Sequence, residues 1–223
     1  MSGKLPPAIL CIGRNYRDHA TEMGGDVPQR PVLFCKNPAS VIGPEEPIVL
    51  PPICREGGAQ LDAEGELAVQ LGRDARDVAV EHALSFLAGY RIANDVTARW
   101  WQKHGAGGQF ARGKSFDTFC PLGPLVPVEK LAEPQALDVS VRWSGRLMQQ
   151  ANTSQMIFPV ARLIAELSRG MTLLAGTILL TGTPAGVGAA RTPPIWLEPG
   201  DVVEVEISGL GVLRNPVVAE EAD

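Results

Sequence analysis

The segment Leu61-Asp-Ala-Glu-Gly-Glu-Leu-Ala-Val-Gln-Leu71 reads as one extended strand, because its odd positions are apolar or glycine while Asp62, Glu64 and Glu66 fall together on the opposite face. Side chains two apart on a strand stand about 7 Å from each other, so the three acids form a row. Such a row suits either the solvated outer face of an antiparallel sheet or an internal acidic site, and the segment alone favours neither. A second acid tips the balance. In Gly89-Tyr-Arg-Ile-Ala-Asn-Asp-Val-Thr-Ala98, Asp95 closes a largely apolar strand, a costlier place for a charge than a surface loop. Two like charges ~4 Å apart at an effective dielectric of ~20 repel by about 4 kcal/mol, so carboxylates gathered there need a cation. All-oxygen ligation selects a hard divalent ion, Mg²⁺ first, with Mn²⁺ or Ca²⁺ as alternatives. Neither His nor Cys stands beside these acids to recruit zinc.

Outward from this segment, the chain has 223 residues, 45% of them hydrophobic and 20% charged, which is ordinary globular composition and a length that suits a single domain over 1–223. The 24 glycines and 19 prolines are spread along it and cut it into many short apolar segments. That spacing predicts a strand-rich α+β fold, with strands at Ile9–Ile12, Val32–Cys35, Ile48–Leu50, Leu61–Leu71, Gly89–Val96, Leu137–Trp143, Thr177–Thr181, Val202–Ile207 and Val212–Pro216. Helices are expected over Arg14–Met23, Val80–Leu87 and Phe158–Ser168, the last from the recurrence of Phe158, Ala161, Leu163, Ile164 and Leu167 on one face.

Composition also excludes partners. Lys plus Arg number 20 against 25 Asp plus Glu, a formal net charge of -5 without basic clusters, which argues against nucleic acid. No apolar run approaches the ~18 residues that cross a bilayer, and two prolines interrupt Met1–Leu10 where a signal peptide needs a continuous apolar core, so a cytoplasmic protein without membrane association is expected. The spacing of Cys11, Cys35, Cys54 and Cys120 matches neither zinc-ligand nor redox-pair patterns and reads as four buried thiols. Thr181-Gly-Thr-Pro-Ala-Gly-Val-Gly188 lacks the lysine of a nucleotide phosphate loop, Ser115 is outside a Gly-x-Ser-x-Gly elbow, and Cys120 has no sequence-adjacent His, which disfavours nucleotide binding and serine or cysteine hydrolysis.

Seven stretches carry a resemblance when taken in order: Gly13-Arg-Asn-Tyr-Arg-Asp-His19, Lys36-Asn-Pro38, Asp62-Ala-Glu-Gly-Glu-Leu67, Gly89 to Arg99, Gly113-Lys-Ser-Phe-Asp-Thr-Phe-Cys-Pro-Leu-Gly-Pro124, Thr181 to Gly188, and Pro199-Gly-Asp201. Together they resemble the short forms of the fumarylacetoacetate hydrolase superfamily. The resemblance implies a mixed β-sheet roll, usually in a homodimer, with Glu64, Glu66 and Asp95 as metal ligands and Asp62 as their neighbour. It also implies that His19 and Glu22, three apart on a helix, form a proton-transfer pair on a lid segment, that Lys114 contacts a substrate oxyanion, and that Gly182 and Thr183 present backbone and hydroxyl groups to a carboxylate. Gln102 is a further candidate for orienting the substrate. Arg14 and Lys36 suit either a substrate carboxylate or structural ion pairs. The chain departs from the resemblance at Trp100, where family members commonly carry an acid directly after the arginine.

A small 2-oxo or 2,4-dioxo acid offers adjacent carboxylate and carbonyl oxygens that chelate a hard ion. The expected reaction is Mg²⁺-dependent hydrolysis of a carbon–carbon bond in an acylpyruvate-like 2,4-dioxo acid, with water activated by His19 and Glu22. Oxaloacetate decarboxylation and isomerisation of an unsaturated 2-oxo acid draw on the same enolate. An inactive 2-oxo acid binding protein is the reading from a different class.

Overall fold

A computed structural model describes residues 5–131 and 133–220, so the outermost positions of the expected 1–223 domain lie outside the described residues. The chain supplies eleven strands to two large sheets. In chain order these are β1 (Ile9–Gly13), β2 (Val32–Lys36), β3 (Ile48–Leu50), β4 (Gly65–Leu71), β5 (Leu87–Asn94), β6 (Val126–Pro127), β7 (Asp138–Trp143), β8 (Arg146–Asn152), β9 (Ile178–Leu180), β10 (Val202–Ile207) and β11 (Gly211–Ala219). A six-stranded sheet runs β6-β5-β4-β9-β1-β2 and a five-stranded sheet runs β8-β7-β10-β11-β3. Parallel pairs join β1 to β9 and β11 to β3, and the other pairs within the two sheets are antiparallel. Among the described residues, no helix is long and apolar enough to cross a membrane.

The core lies where the two sheets face each other. Leu67, Val69, Tyr90 and Ile92 from the first sheet meet Val139, Val141, Val203 and Val205 from the second in one buried apolar cluster. Along β7 and β10 these residues alternate with mostly polar ones, the period-two signal read from the sequence, whereas Ala68 and Ala93 leave parts of both faces of β4 and β5 apolar. A smaller cluster with Ile9, Cys11, Ala68, Ala93, Ile178 and Leu180 covers the other face of the six-stranded sheet. Gly65 sits where the sheets approach most closely, and a Cβ built there would overlap Val141 and crowd Val205 Cγ1 at 2.9 Å.

The helices are short: α1 (Arg17–Glu22), α2 (Phe110–Lys114) and α3 (Val160–Ser168). In α3 the stripe Val160, Leu163, Ile164 and Leu167 is buried, as its spacing requires. Three expectations need correction. The Leu61–Leu71 strand is broken at Ala63–Glu64, so that Leu61–Asp62 pairs with Thr97–Ala98 while β4 pairs with β5. Val80–Phe86 is a 3₁₀ segment burying only Ala83, with Val80 and Leu84 left exposed, so its apolar stripe is not packed as an α-helix would require. Arg14 has φ 58, so α1 cannot begin until Arg17.

The cysteines also correct their expected placement. Cys11, Cys54 and Cys120 are buried, but Cys35 is exposed because β2 is an edge strand with alternate side chains turned outward. Burial pushes the thiols of Cys54 and Cys120 up to about 12 and that of Cys11 well above its ordinary value. A thiol-specific disulfide reagent at pH 8 is therefore expected to titrate one cysteine in the native chain and all 4 after unfolding; more than one fast native thiol would contradict this packing. Gly65→Ala should cost roughly 1–3 kcal/mol of stability in urea titrations by overpacking the sheet interface, and adding Val141→Ala should recover part of that loss.

Candidate metal centre

The antiparallel register of β4 and β5 builds the site. Glu66 lies opposite Ala93 and Gly65 opposite Asn94, and just past this ladder the Asp95 amide donates to Glu64 O at 2.8 Å while Asn94 Oδ1 accepts from the Glu64 amide at 3.0 Å. Local backbone pairing thus carries the acid face beyond the end of β4. Glu64, Glu66 and Asp95 are buried, and each offers a carboxylate oxygen within 4.8 Å of the others. The solvated-face reading of the row is excluded by this burial.

Three cations hold the acids. Lys114 Nζ donates to Glu64 Oε2 at 2.9 Å and to Thr97 Oγ1 at 2.8 Å, and also reaches Asp95 Oδ2. Lys36 Nζ donates to Asp95 Oδ1 at 2.6 Å. Arg99 Nη2 stands 2.7 Å from both Glu64 Oε1 and Asp62 Oδ2, and its Nη1 donates to Gln102 Oε1 at 3.1 Å. Asp62 therefore faces away from the trio, and it also accepts from the amides of Gly188 at 2.9 Å and Ala189 at 3.1 Å. Four acids against three cations leave one negative charge in excess.

That excess falls on Glu66. It has no ion pair among the described residues and accepts the Gly182 amide at 2.6 Å. Burial, then the neighbouring charges of Asp95 and Glu64, raise its pKa well above the carboxylate range. Burial alone would raise Glu64 too, but Lys114, Arg99 and His19 overcome it and hold Glu64 well below that range. Burial would lower Arg99 and Lys114, yet their acid partners raise both, so both stay charged. A buried carboxylate lacking a countercharge, within an all-oxygen trio, fits a hard dication.

The proton-transfer candidates stand beside this trio. His19 Nδ1 lies 2.8 Å from Glu22 Oε1, and Glu22 accepts the Gly186 amide at 2.9 and 3.1 Å through its two oxygens. A cleft of about 150 Å³ is lined by His19, Glu64, Arg99, Gln102, Lys114 and Thr183 together with Arg14, Lys103 and an apolar wall that includes Phe34 and Phe110. Lys114 Nζ also sits 5.0 Å from the centre of the Phe34 ring.

The structure thus brings together His19, Glu22, Glu64, Glu66, Asp95, Gln102, Lys114, Thr183 and Arg14. Lys36 does not line the cleft; at 3% exposure it stands behind Asp95, where a salt bridge to an otherwise unbalanced carboxylate outweighs exposure to substrate. The Gly182 amide is committed to Glu66, and the Thr183 hydroxyl donates to Gly65 O at 3.0 Å while accepting from Gln149 at 2.8 Å, so both serve the site's frame rather than a free carboxylate. Sequence reasoning missed Arg99 as a site residue. The only signal was a basic residue four positions after Asp95, and its meaning depends on the Asp62–Thr97 pairing. Trp100, the departure from the resemblance, contributes no group to the acid trio: its indole packs against Gly57, where a Cβ would overlap the ring, and meets Trp101 edge-on with centroids 5.2 Å apart.

Two packed sheets with a buried carboxylate trio able to hold a metal ion define the class of strand-rich domain to which this fold belongs. Residues 8–218 match the family described as fumarylacetoacetate (FAA) hydrolase C-terminal, and the chain belongs to it. It is 45% identical over 214 residues to the mitochondrial oxaloacetate tautomerase fahd2 of Xenopus laevis, covering 96% of this chain and 66% of that protein. It is 46% identical over 212 residues to oxaloacetate tautomerase YisK of Bacillus subtilis, covering 94% of this chain and 69% of that protein. The chain therefore spans about two thirds of the length of these relatives. A crystal structure of fumarylpyruvate hydrolase from Pseudomonas aeruginosa in complex with Mn²⁺ and pyruvate is similar with a TM-score of 0.86 and 29% identity, covering 99% of each chain.

Glu66→Gln is expected to weaken Mn²⁺ binding in calorimetry by at least about 100-fold, since a ligand charge is lost. The metal-free variant should be no less stable than the parent. Because the folded pKa of Glu66 is raised, its ionised form opposes the metal-free fold above the unfolded pKa, and the amide removes that penalty. A large drop in the melting temperature in chelator would contradict this charge balance.

Proposed function

We propose that the chain is a divalent-metal-dependent enzyme that moves a proton on a small 2-oxo acid, with keto–enol tautomerisation of oxaloacetate as its reaction. The observation that carries this reading is the His19–Glu22 pair, whose buried imidazole lines the same cleft as Glu64 and Lys114. Two relatives named oxaloacetate tautomerase, at 45% and 46% identity, support the choice of substrate. The small cleft suits a short acid better than a drug-sized ligand, whose pockets run to roughly 300–1,000 Å³.

Glu22 beside Nδ1 favours the tautomer in which Nδ1–H donates to the carboxylate, leaving Nε2 as a free base. In this scheme His19 Nε2 takes a proton from C3 of the keto acid, and the electron pair moves onto the 2-oxo oxygen. The Lys114 ammonium, kept charged by Asp95 and Glu64, acts on that developing oxyanion as a nearby fixed positive charge, its three N–H groups being donated to Glu64, Asp95 and Thr97. The imidazolium then returns its proton to the oxygen to give the enol, and the reverse sequence restores the keto form. A hard dication held by Glu64, Glu66 and Asp95 would supply Lewis-acid stabilisation of negative charge on the substrate oxygens.

The same pair supports a second reading, the one the sequence favoured. A water molecule in place of C3–H as the proton donor to His19 would attack the distal carbonyl of a 2,4-dioxo acid and split it into pyruvate and a carboxylic acid. The likeness to fumarylpyruvate hydrolase supports this alternative.

Incubation with Mg²⁺ or Mn²⁺ and either oxaloacetate or acetylpyruvate separates the two readings: decay of enol absorbance without new products marks the tautomerase, and pyruvate with acetate marks the hydrolase. His19→Asn should lower kcat by about 10²–10⁴-fold while oxalate binding persists. Parental turnover in that variant would overturn the assignment of the base.

A further inference from the structure

The cleft carries two cations that the reaction scheme leaves unused. Arg99, Lys36 and Lys114 are each bound to buried acids, whereas Arg14 and Lys103, which line the same cleft, make no ion pair or hydrogen bond among the described residues. The inner site has an excess of one negative charge, so a bound dication turns it positive by one, enough to balance one substrate carboxylate. A second carboxylate on the substrate would need its own cation at the rim.

Both rim residues sit on irregular backbone. Arg14 has φ 58, a left-handed conformation uncommon for a residue with a side chain. Its guanidinium lies against Gly25 just beyond α1, where a Cβ would come within 2.7 Å of Nη1 and 3.0 Å of Cζ. A Cβ there would push the end of the Arg14 side chain aside. Lys103 sits in a π-helical turn over Trp101–Gly105, an irregularity often found at functional sites. That turn is anchored just ahead of Lys103: Gln102 accepts from Arg99 at 3.1 Å, and Trp101 Nε1 donates to Ile53 O at 3.1 Å.

We infer that Lys103, together with Arg14, is a specificity determinant that reads a second carboxylate, so that the substrates of this site are 2-oxo dicarboxylates rather than monocarboxylic 2-oxo acids. This rests on the 2-oxo acid reading above and deepens it. The 2-oxo carboxylate end enters toward Glu64 and Lys114, and the distal carboxylate meets the rim. Oxaloacetate places its two carboxylates at opposite ends of a four-carbon chain, in keeping with a cleft of about 150 Å³ lined by the buried Lys114 and by the more exposed Arg14 and Lys103.

The test compares two ligands by calorimetry on the Mn²⁺-loaded protein: pyruvate, and 3,3-difluoro-oxaloacetate, which has no C3 proton and cannot enolise. The parent should bind the dicarboxylate at least about tenfold more tightly, the scale of one charge-assisted contact. Lys103→Met should cut that preference about tenfold, and Lys103→Arg should restore most of it. Gly25→Ala, which displaces the Arg14 guanidinium without altering any charge, should also reduce the preference. Lys130→Met removes an exposed charge that does not line the cleft and should leave the preference unchanged. The inference is overturned if the parent binds both ligands equally, if Lys103→Met keeps the full preference, or if Lys130→Met reduces it as much. If the Mn²⁺-loaded parent binds neither ligand, the 2-oxo acid reading falls and the inference falls with it; pyruvate binding without a dicarboxylate preference removes the inference alone.

Discussion

The site depends on the mutual neutralisation of buried charges. Asp62, Glu64, Glu66 and Asp95 are brought together by backbone pairing, and their repulsion is offset by Arg99, Lys36 and Lys114 on separate elements. Each cation comes from a different part of the chain, so the carboxylates also tie the edge strand β2 to the end of β5 and fasten α2 and the segment after Thr97–Ala98 to the six-stranded sheet. Removing a single partner would leave a buried charge unbalanced, which costs far more than losing a surface pair. The remaining deficit at Glu66 makes the arrangement receptive to a cation.

Much of this was legible in the sequence, for a definite reason. A strand's two-residue period needs no tertiary information, so the shared face of Glu64 and Glu66 and the apolar faces of β7 and β10 could be read directly. The amphipathic stripe of α3 was equally visible. The strand Arg146–Asn152 escaped notice because its sequence is mainly polar; the Ser144-Gly145 turn before it, with φ 45 and 85, was the available hairpin signal.

What could not be read was register and charge pairing across long separations. The break at Ala63–Glu64 follows from pairing with Thr97–Ala98, and this places Asp62 on Arg99 rather than among the other acids. Lys36 looked equally suited to substrate or to a structural pair, and only the position of Asp95 decides between them. The motif resemblance supplied the acid trio and the His19–Glu22 pair, which spacing alone left open. The exposed thiol of Cys35 shows the same limit, since an edge strand cannot be recognised until its neighbours are known.

The attachment of α1 has one more consequence. Its leading end is moored by Asn15, whose side chain bonds the backbone of Phe158 and Thr181, while its trailing end is fastened through Glu22 to the single amide of Gly186. The Asp62 contacts to Gly188 and Ala189 belong to a separate anchorage. The imidazole is therefore carried on a six-residue helix tied to the rest of the fold at both ends, so its position is set by contacts separate from those that set the acid trio.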